Sequence, residues 1–121
     1  MPSRFYQLVI DCHDPHAVAR FWAAVLDQPI LYETDDEVIV GADKDTYPGL
    51  CFGVAPEAKT IKNRLHIDLD PDDYAAEVER ILALGARHAD VGQGDDVPWT
   101  VLADPEGNEF CVLRPHRSLI D

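Results

Sequence analysis

Residues 5–26 read FYQLVIDCHDPHAVARFWAAVL, and residues 64–84 read RLHIDLDPDDYAAEVERILAL. Each stretch is a short alternating strand, an Asp-Pro pair and an amphipathic helix pattern, so the chain states one strand-helix unit twice. In the first copy Tyr6, Leu8 and Ile10 alternate with Gln7, Val9 and Asp11, which sends the two sets to opposite faces of a strand. In the second, Leu65, Ile67 and Leu69 alternate with Arg64, His66 and Asp68. The two patterns keep one phase when Gln7 is laid over His66.

Asp14-Pro15 and Asp70-Pro71 read as helix starts. An aspartate accepts a bond from an unpaired backbone N–H, and a proline in the first turn loses no needed donor. Val18, Phe21, Trp22, Val25 and Leu26 form an apolar stripe at helical spacing, as do Tyr74, Val78, Ile81, Leu82 and, less cleanly, Leu84. Gly85 fits a left-handed C-cap, and Pro29 follows the first helix. After each helix come three further strands: 30–33, 38–41 and 49–54 in the first half, and 86–90, 98–103 and 109–114 in the second. The turn DPEG, residues 104–107, separates the last pair.

The expected fold is α+β, a single domain of two βαβββ modules spanning residues 1–58 and 59–121 and joined near 56–60. A mixed sheet curls around a cleft, with the helices on the outer face. Gln7 and His66 look into that cleft. In the last strand Phe110 and Val112 belong to the helix-packed core, which turns Cys111 toward the cleft.

This arrangement resembles the vicinal oxygen chelate superfamily, which includes glyoxalase I, extradiol dioxygenases, fosfomycin-resistance enzymes and bleomycin-resistance proteins. It is most similar to the small glyoxalase-like proteins. The resemblance is carried by DPHAVARFWAAVL at 14–26, KNRLHIDLD at 62–70 and above all DPEGNEFCVL at 104–113. It implies a metal or small-molecule site in the cup between the modules. Metal-using members take ligands from the first strand of each module and from a late strand, usually histidine or glutamine, histidine, and glutamate. Carried over, Gln7 and His66 match the first two, and the glutamate position is held by Cys111. A thiol there departs from the oxygen donors suited to iron, manganese or nickel, and histidine plus thiolate suits zinc. One divalent ion (zinc, nickel, iron or manganese) is therefore expected at Gln7, His66 and Cys111, with a metal-free site as the alternative.

The same residues have plainer readings. His66 can be a histidine bonded to Asp68, Cys111 a small buried packing residue, and Gln7 an ordinary lining side chain. A Cys111 nucleophile activated by His66 needs a depressed thiol pKa and a group to orient the base, and the sequence identifies neither. The catalytic group thus stays unassigned. Arg64 shares the strand face of His66 and offers a planar fork for a carboxylate or phosphate. Asp68 and Glu109, the latter on the face of Cys111 near the turn, complete the polar lining, while Trp99 and Phe52 are expected as its apolar walls.

The chain carries 10 basic and 23 acidic residues, a formal charge of −13. Phosphate contacts dominate nucleic-acid affinity, so this balance argues against DNA, RNA and anionic membrane surfaces as partners. No apolar run approaches the roughly 20 residues that cross a bilayer. Cys12, Cys51 and Cys111 form no even disulfide framework and no signal segment is evident, so a cytoplasmic setting is expected. A chain of this size with an open cup buries a modest share of its surface, and a homodimer is expected.

Two functions fit. The leading one is an enzyme of the lyase or dioxygenase type acting on a small oxygenated metabolite, with metal assistance. The missing glutamate argues against literal lactoylglutathione lyase activity. The other is a metal-free protein that sequesters a ligand, as bleomycin-resistance proteins do, using acidic charge to attract a cation.

Overall fold

The computed structural model describes residues 2–89, 99–116 and 118–120. The expected strand end at 90, the acidic pair 95–96 and the strand start at 98 lie outside the described residues. The chain divides into two compact units, Met1–Ala58 and Lys59–Asp121.

The first unit runs β1 (Gln7–Cys12), α1 (Pro15–Leu26), β2 (Ile30–Glu33), β3 (Glu37–Val40) and β4 (Gly49–Val54). Its sheet has the order β1-β4-β3-β2, with β1 parallel to β4 and the other pairs antiparallel. The helix begins as the sequence predicts, because the Asp14 side chain accepts from the Ala17 N–H and Pro15 fills the first turn. It ends on Asp27 in the left-handed conformation (φ 52°), with the Gln28 N–H donating to the Ala23 carbonyl at 3.0 Å. Val18, Ala19, Phe21, Trp22 and Val25 are buried, and the helix packs on β3 and β4, whose Val38, Val40 and Phe52 are also buried. Phe52 is thus corrected from pocket wall to core: it is fully buried, and its neighbour in the register, Val38, shares that burial. Tyr6 is corrected as well. It precedes β1, is exposed, and sets its ring edge-on to Tyr47 with centroids 5.0 Å apart.

The second unit repeats the plan as β5 (Asp68–Leu69), α2 (Tyr74–Ala83), β6 (Arg87–His88), β7 (Trp99–Ala103) and β8 (Glu109–Leu113), in the order β5-β8-β7-β6. Again the first strand is parallel to the last, and the rest are antiparallel. Ile81, Leu102, Phe110 and Val112 are its fully buried apolar residues, and Tyr74 bonds the Thr100 hydroxyl from the helix side.

Two expectations fail in this unit. The helix starts three residues late: Asp73 is the cap, its side chain accepting from the Ala76 N–H, while Asp70 accepts from the His116 N–H at 2.7 Å. Two overlapping Asp signals stood in the sequence, and the tail claimed the earlier one. The first strand is also shorter than the 64–69 alternation suggests. The Ile67 carbonyl accepts from the Cys111 N–H, but just upstream the Asn63 side-chain amide donates to the Glu109 carbonyl at 3.2 Å. A side chain there takes an acceptor of β8 that a longer strand would use, and Leu65 is left exposed. Gly85 takes φ 120° and closes α2 with its N–H on the Leu82 carbonyl, as expected. Leu84 does not join the buried stripe and is exposed.

The turn before β8 is built on Asp104, the one buried charged residue among those described. Its Oδ1 accepts from the Glu106 and Asn108 N–H groups at 2.9 and 3.0 Å, and the Asn108 amide reaches both carboxylate oxygens. Gly107 supplies φ 87°, a conformation that suits glycine. Removing the carboxylate strands several part-buried donors at once. Asp104→Ala is expected to lower unfolding free energy by about 2–4 kcal/mol, and Asp104→Asn by less. Urea denaturation of both variants checks this; a change under about 0.5 kcal/mol for the alanine variant contradicts it.

Candidate functional site

Burial sorts β8 by alternation. Phe110 and Val112 are buried with Leu102 and Ile81, on the side where Tyr74 meets Thr100. Glu109, Cys111 and Leu113 alternate with them and share the cavity lining with Trp99 and Val101 of β7. The parallel register then sets Asp68 of β5 opposite Cys111. Those strands border a cavity of about 260 Å3 within the second unit, lined also by Phe110 and by Lys62 and His66 from the segment before β5.

Three donor groups converge on that wall. His66, Asp68 and Cys111 each present a ligand atom, and these atoms all lie within 4.8 Å of one another. His66 Nε2 is 3.1 Å from Asp68 Oδ1, both side chains being about half exposed (47% and 50%). Burial pushes the Cys111 thiol up to about 11, and the charge and hydrogen bond of Asp68 add to that. Such a thiol is protonated at neutral pH, so the site lacks the depressed pKa that a cysteine nucleophile requires.

Glu109 is neutralised rather than free. Its Oε2 is buried and lies 3.0 Å from the Lys59 ammonium. Burial works to raise this carboxyl; the Lys59 hydrogen bond and charge, helped by Lys62, outweigh it and hold the group below the usual glutamate value.

Of the residues expected at a site, the structure brings together His66, Asp68, Trp99, Glu109 and Cys111. Arg64 is exposed and does not border this cavity, because the chain is irregular before Ile67 and the strand alternation that would aim Arg64 has not begun. Lys62, two residues earlier, is on the lining. Gln7 lies in the first unit, half-buried on β1 opposite Gly49. The sequence reading missed Asp68 as a metal donor, treating it as lining, although the His-x-Asp spacing on an extended segment was the available signal.

The donor set fits a zinc-sized ion. Imidazole, carboxylate and thiolate are the three zinc ligand types, with bonds of about 2.0–2.3 Å that put tetrahedral ligand atoms about 3.3–3.8 Å apart. Closing the trio takes side-chain shifts of about an ångström, and two of the three side chains are half exposed and free to make them. Metal binding must also displace the Cys111 proton, so affinity rises with pH.

A family model described as a glyoxalase-like domain matches residues 7–113. No curated protein matches the sequence. Among solved structures, the chain is similar to a glyoxalase/bleomycin resistance protein/dioxygenase family enzyme from Burkholderia phytofirmans PsJN (20% identity, 91% of this chain and 97% of that one, TM-score 0.67). It is also similar to the fosfomycin resistance protein FosX from Mesorhizobium loti (17% identity, 93% and 92%, TM-score 0.66). A third is the trypanothione-dependent glyoxalase I of Leishmania major (15% identity, 93% and 87%, TM-score 0.66).

The Cys111 environment has a direct readout. In metal-free protein, alkylation of Cys111 by iodoacetamide, followed by peptide mapping, is expected to rise with a midpoint near 11. Asp68→Asn removes the like charge that disfavours the thiolate and lowers the midpoint. A midpoint at the ordinary cysteine value of about 8.5 contradicts the assignment.

Proposed function

The chain belongs to the glyoxalase-like domain family, of the vicinal oxygen chelate superfamily, and on that premise we propose that it is an enzyme acting on a small oxygenated metabolite in the cavity of its second unit, with one zinc-type ion held by His66, Asp68 and Cys111. The observation that carries this reading is the convergence of three zinc-type donors on one cavity wall. Three protein ligands leave a fourth position for water or substrate, which is the composition of a catalytic rather than a structural zinc site. When bound, the ion supplies Lewis-acid polarisation of a substrate oxygen.

The chain's own residues do the rest. Trp99, Val101 and Leu113 supply an apolar stretch of the lining against which the hydrocarbon part of a metabolite can rest. The Lys59 ion pair keeps Glu109 ionised and held at the edge of the cavity, so this carboxylate is a fixed feature rather than a mobile base. A cavity of about 260 Å3 has room for a small metabolite.

A second reading has its own support. The His66–Asp68 contact and the Cys111 hydrogen bond to Asp68 satisfy the trio without an ion, which suits a metal-free binding protein. One experiment separates the two. Purified protein stripped with EDTA and titrated with zinc, nickel, iron(II) and manganese in a calorimeter is expected to bind one equivalent of zinc tightest. His66→Ala, Asp68→Asn and Cys111→Ser should each weaken zinc at least tenfold. Absence of zinc binding in the unmodified chain overturns the metal-assisted reading in favour of the metal-free one.

A further inference from the structure

The cavity wall holds one cation whose partner is not another described residue. Lys62 lines the cavity beside His66 and Cys111, and among the described residues it has no ion pair. This stands out in a chain with 23 acidic residues to 10 basic ones. The neighbouring cation is committed elsewhere: Lys59 is taken by Glu109 at 3.0 Å. Its place on the lining sets the Lys62 charge at the cavity.

Charge balance then selects a ligand. This step rests on the metal-assisted reading above. A divalent ion held by the Asp68 carboxylate and the Cys111 thiolate is neutral with its ligands, and the Lys59–Glu109 pair is neutral too. One positive charge, on Lys62, is left in the loaded cavity. Trp99, Val101 and Leu113 share the lining and offer an apolar surface to a hydrocarbon body.

We propose that Lys62 is a substrate-binding residue and that the cavity takes small monoanionic organic acids, with the carboxylate on the Lys62 ammonium and the hydrocarbon part against Trp99, Val101 and Leu113. Lysine suits this role as a mobile point charge on a flexible stem, able to follow acids of different length. A neutral isostere loses the ion pair while keeping the apolar contact.

The test uses benzoate and its neutral isostere benzamide, titrated into zinc-loaded protein and followed by the Trp99 indole N–H in heteronuclear NMR, with zinc content measured on the same samples. Benzoate is expected to bind at least tenfold tighter than benzamide, and its affinity should fall as salt rises. Lys62→Gln should lose about tenfold in benzoate affinity with zinc content unchanged, and Lys62→Arg should keep it. A carboxylate that merely ligates the metal would bind the Lys62→Gln protein as well as the parent, so unchanged affinity in that variant overturns the proposal. Equal binding of benzoate and benzamide, or no benzoate binding to zinc-loaded protein, overturns it too. Both results leave the metal reading standing, whereas failure to load zinc overturns the metal reading together with this one.

Discussion

The second unit's cavity depends on the pairing of a two-residue strand with the last strand of the chain. Asp68 is set opposite Cys111, and the Ile67 carbonyl takes the Cys111 N–H at 2.9 Å. Period-two alternation does the rest. With Phe110 and Val112 fully buried with Leu102, Cys111 has only the other face available, beside Asp68 and within reach of His66 two residues upstream. A slip of one residue would turn Cys111 to the helix-packed face in place of Val112 and dissolve the cluster. The Asp104 turn fixes where β8 begins and so guards that register from the other end.

The electrostatic arrangement is sparse for so acidic a chain. The cavity has two carboxylates, and each is answered: Glu109 by Lys59 from the segment before β5, Asp68 by His66. The consequence for Cys111 differs from that for a reactive thiol. Burial and a neighbouring carboxylate both oppose ionisation, so the thiol stays protonated at neutral pH and lacks the depressed pKa of a reactive nucleophile. The same environment that disfavours covalent chemistry is compatible with metal ligation.

Much of this was legible in residues. Asp14-Pro15 specified the start of α1, DPEG specified the final turn, and the alternation of 109–113 separated Phe110 and Val112 from Cys111. What escaped the sequence reading has a common physical origin in competition for hydrogen-bonding groups. Asp70 looked like a cap until the His116 N–H claimed it, and the 64–69 alternation looked like a full strand until Asn63 took the Glu109 carbonyl. That shortening also leaves Arg64 off the cavity lining and Lys62 on it, since an irregular segment does not obey strand periodicity. Phe52 was assigned by residue type alone, and aromatic strand residues under a helix go to the core.

His66 from the segment before β5, Asp68 of β5 and Cys111 of β8 are proposed to form together a mixed nitrogen, oxygen and sulfur metal site. X-ray absorption at the zinc edge of the loaded protein tests it most directly. One sulfur at about 2.3 Å with nitrogen and oxygen ligands at about 2.0–2.2 Å is expected, the sulfur shell vanishing in Cys111→Ser. A first shell of nitrogen and oxygen only, unchanged by that substitution, would contradict it.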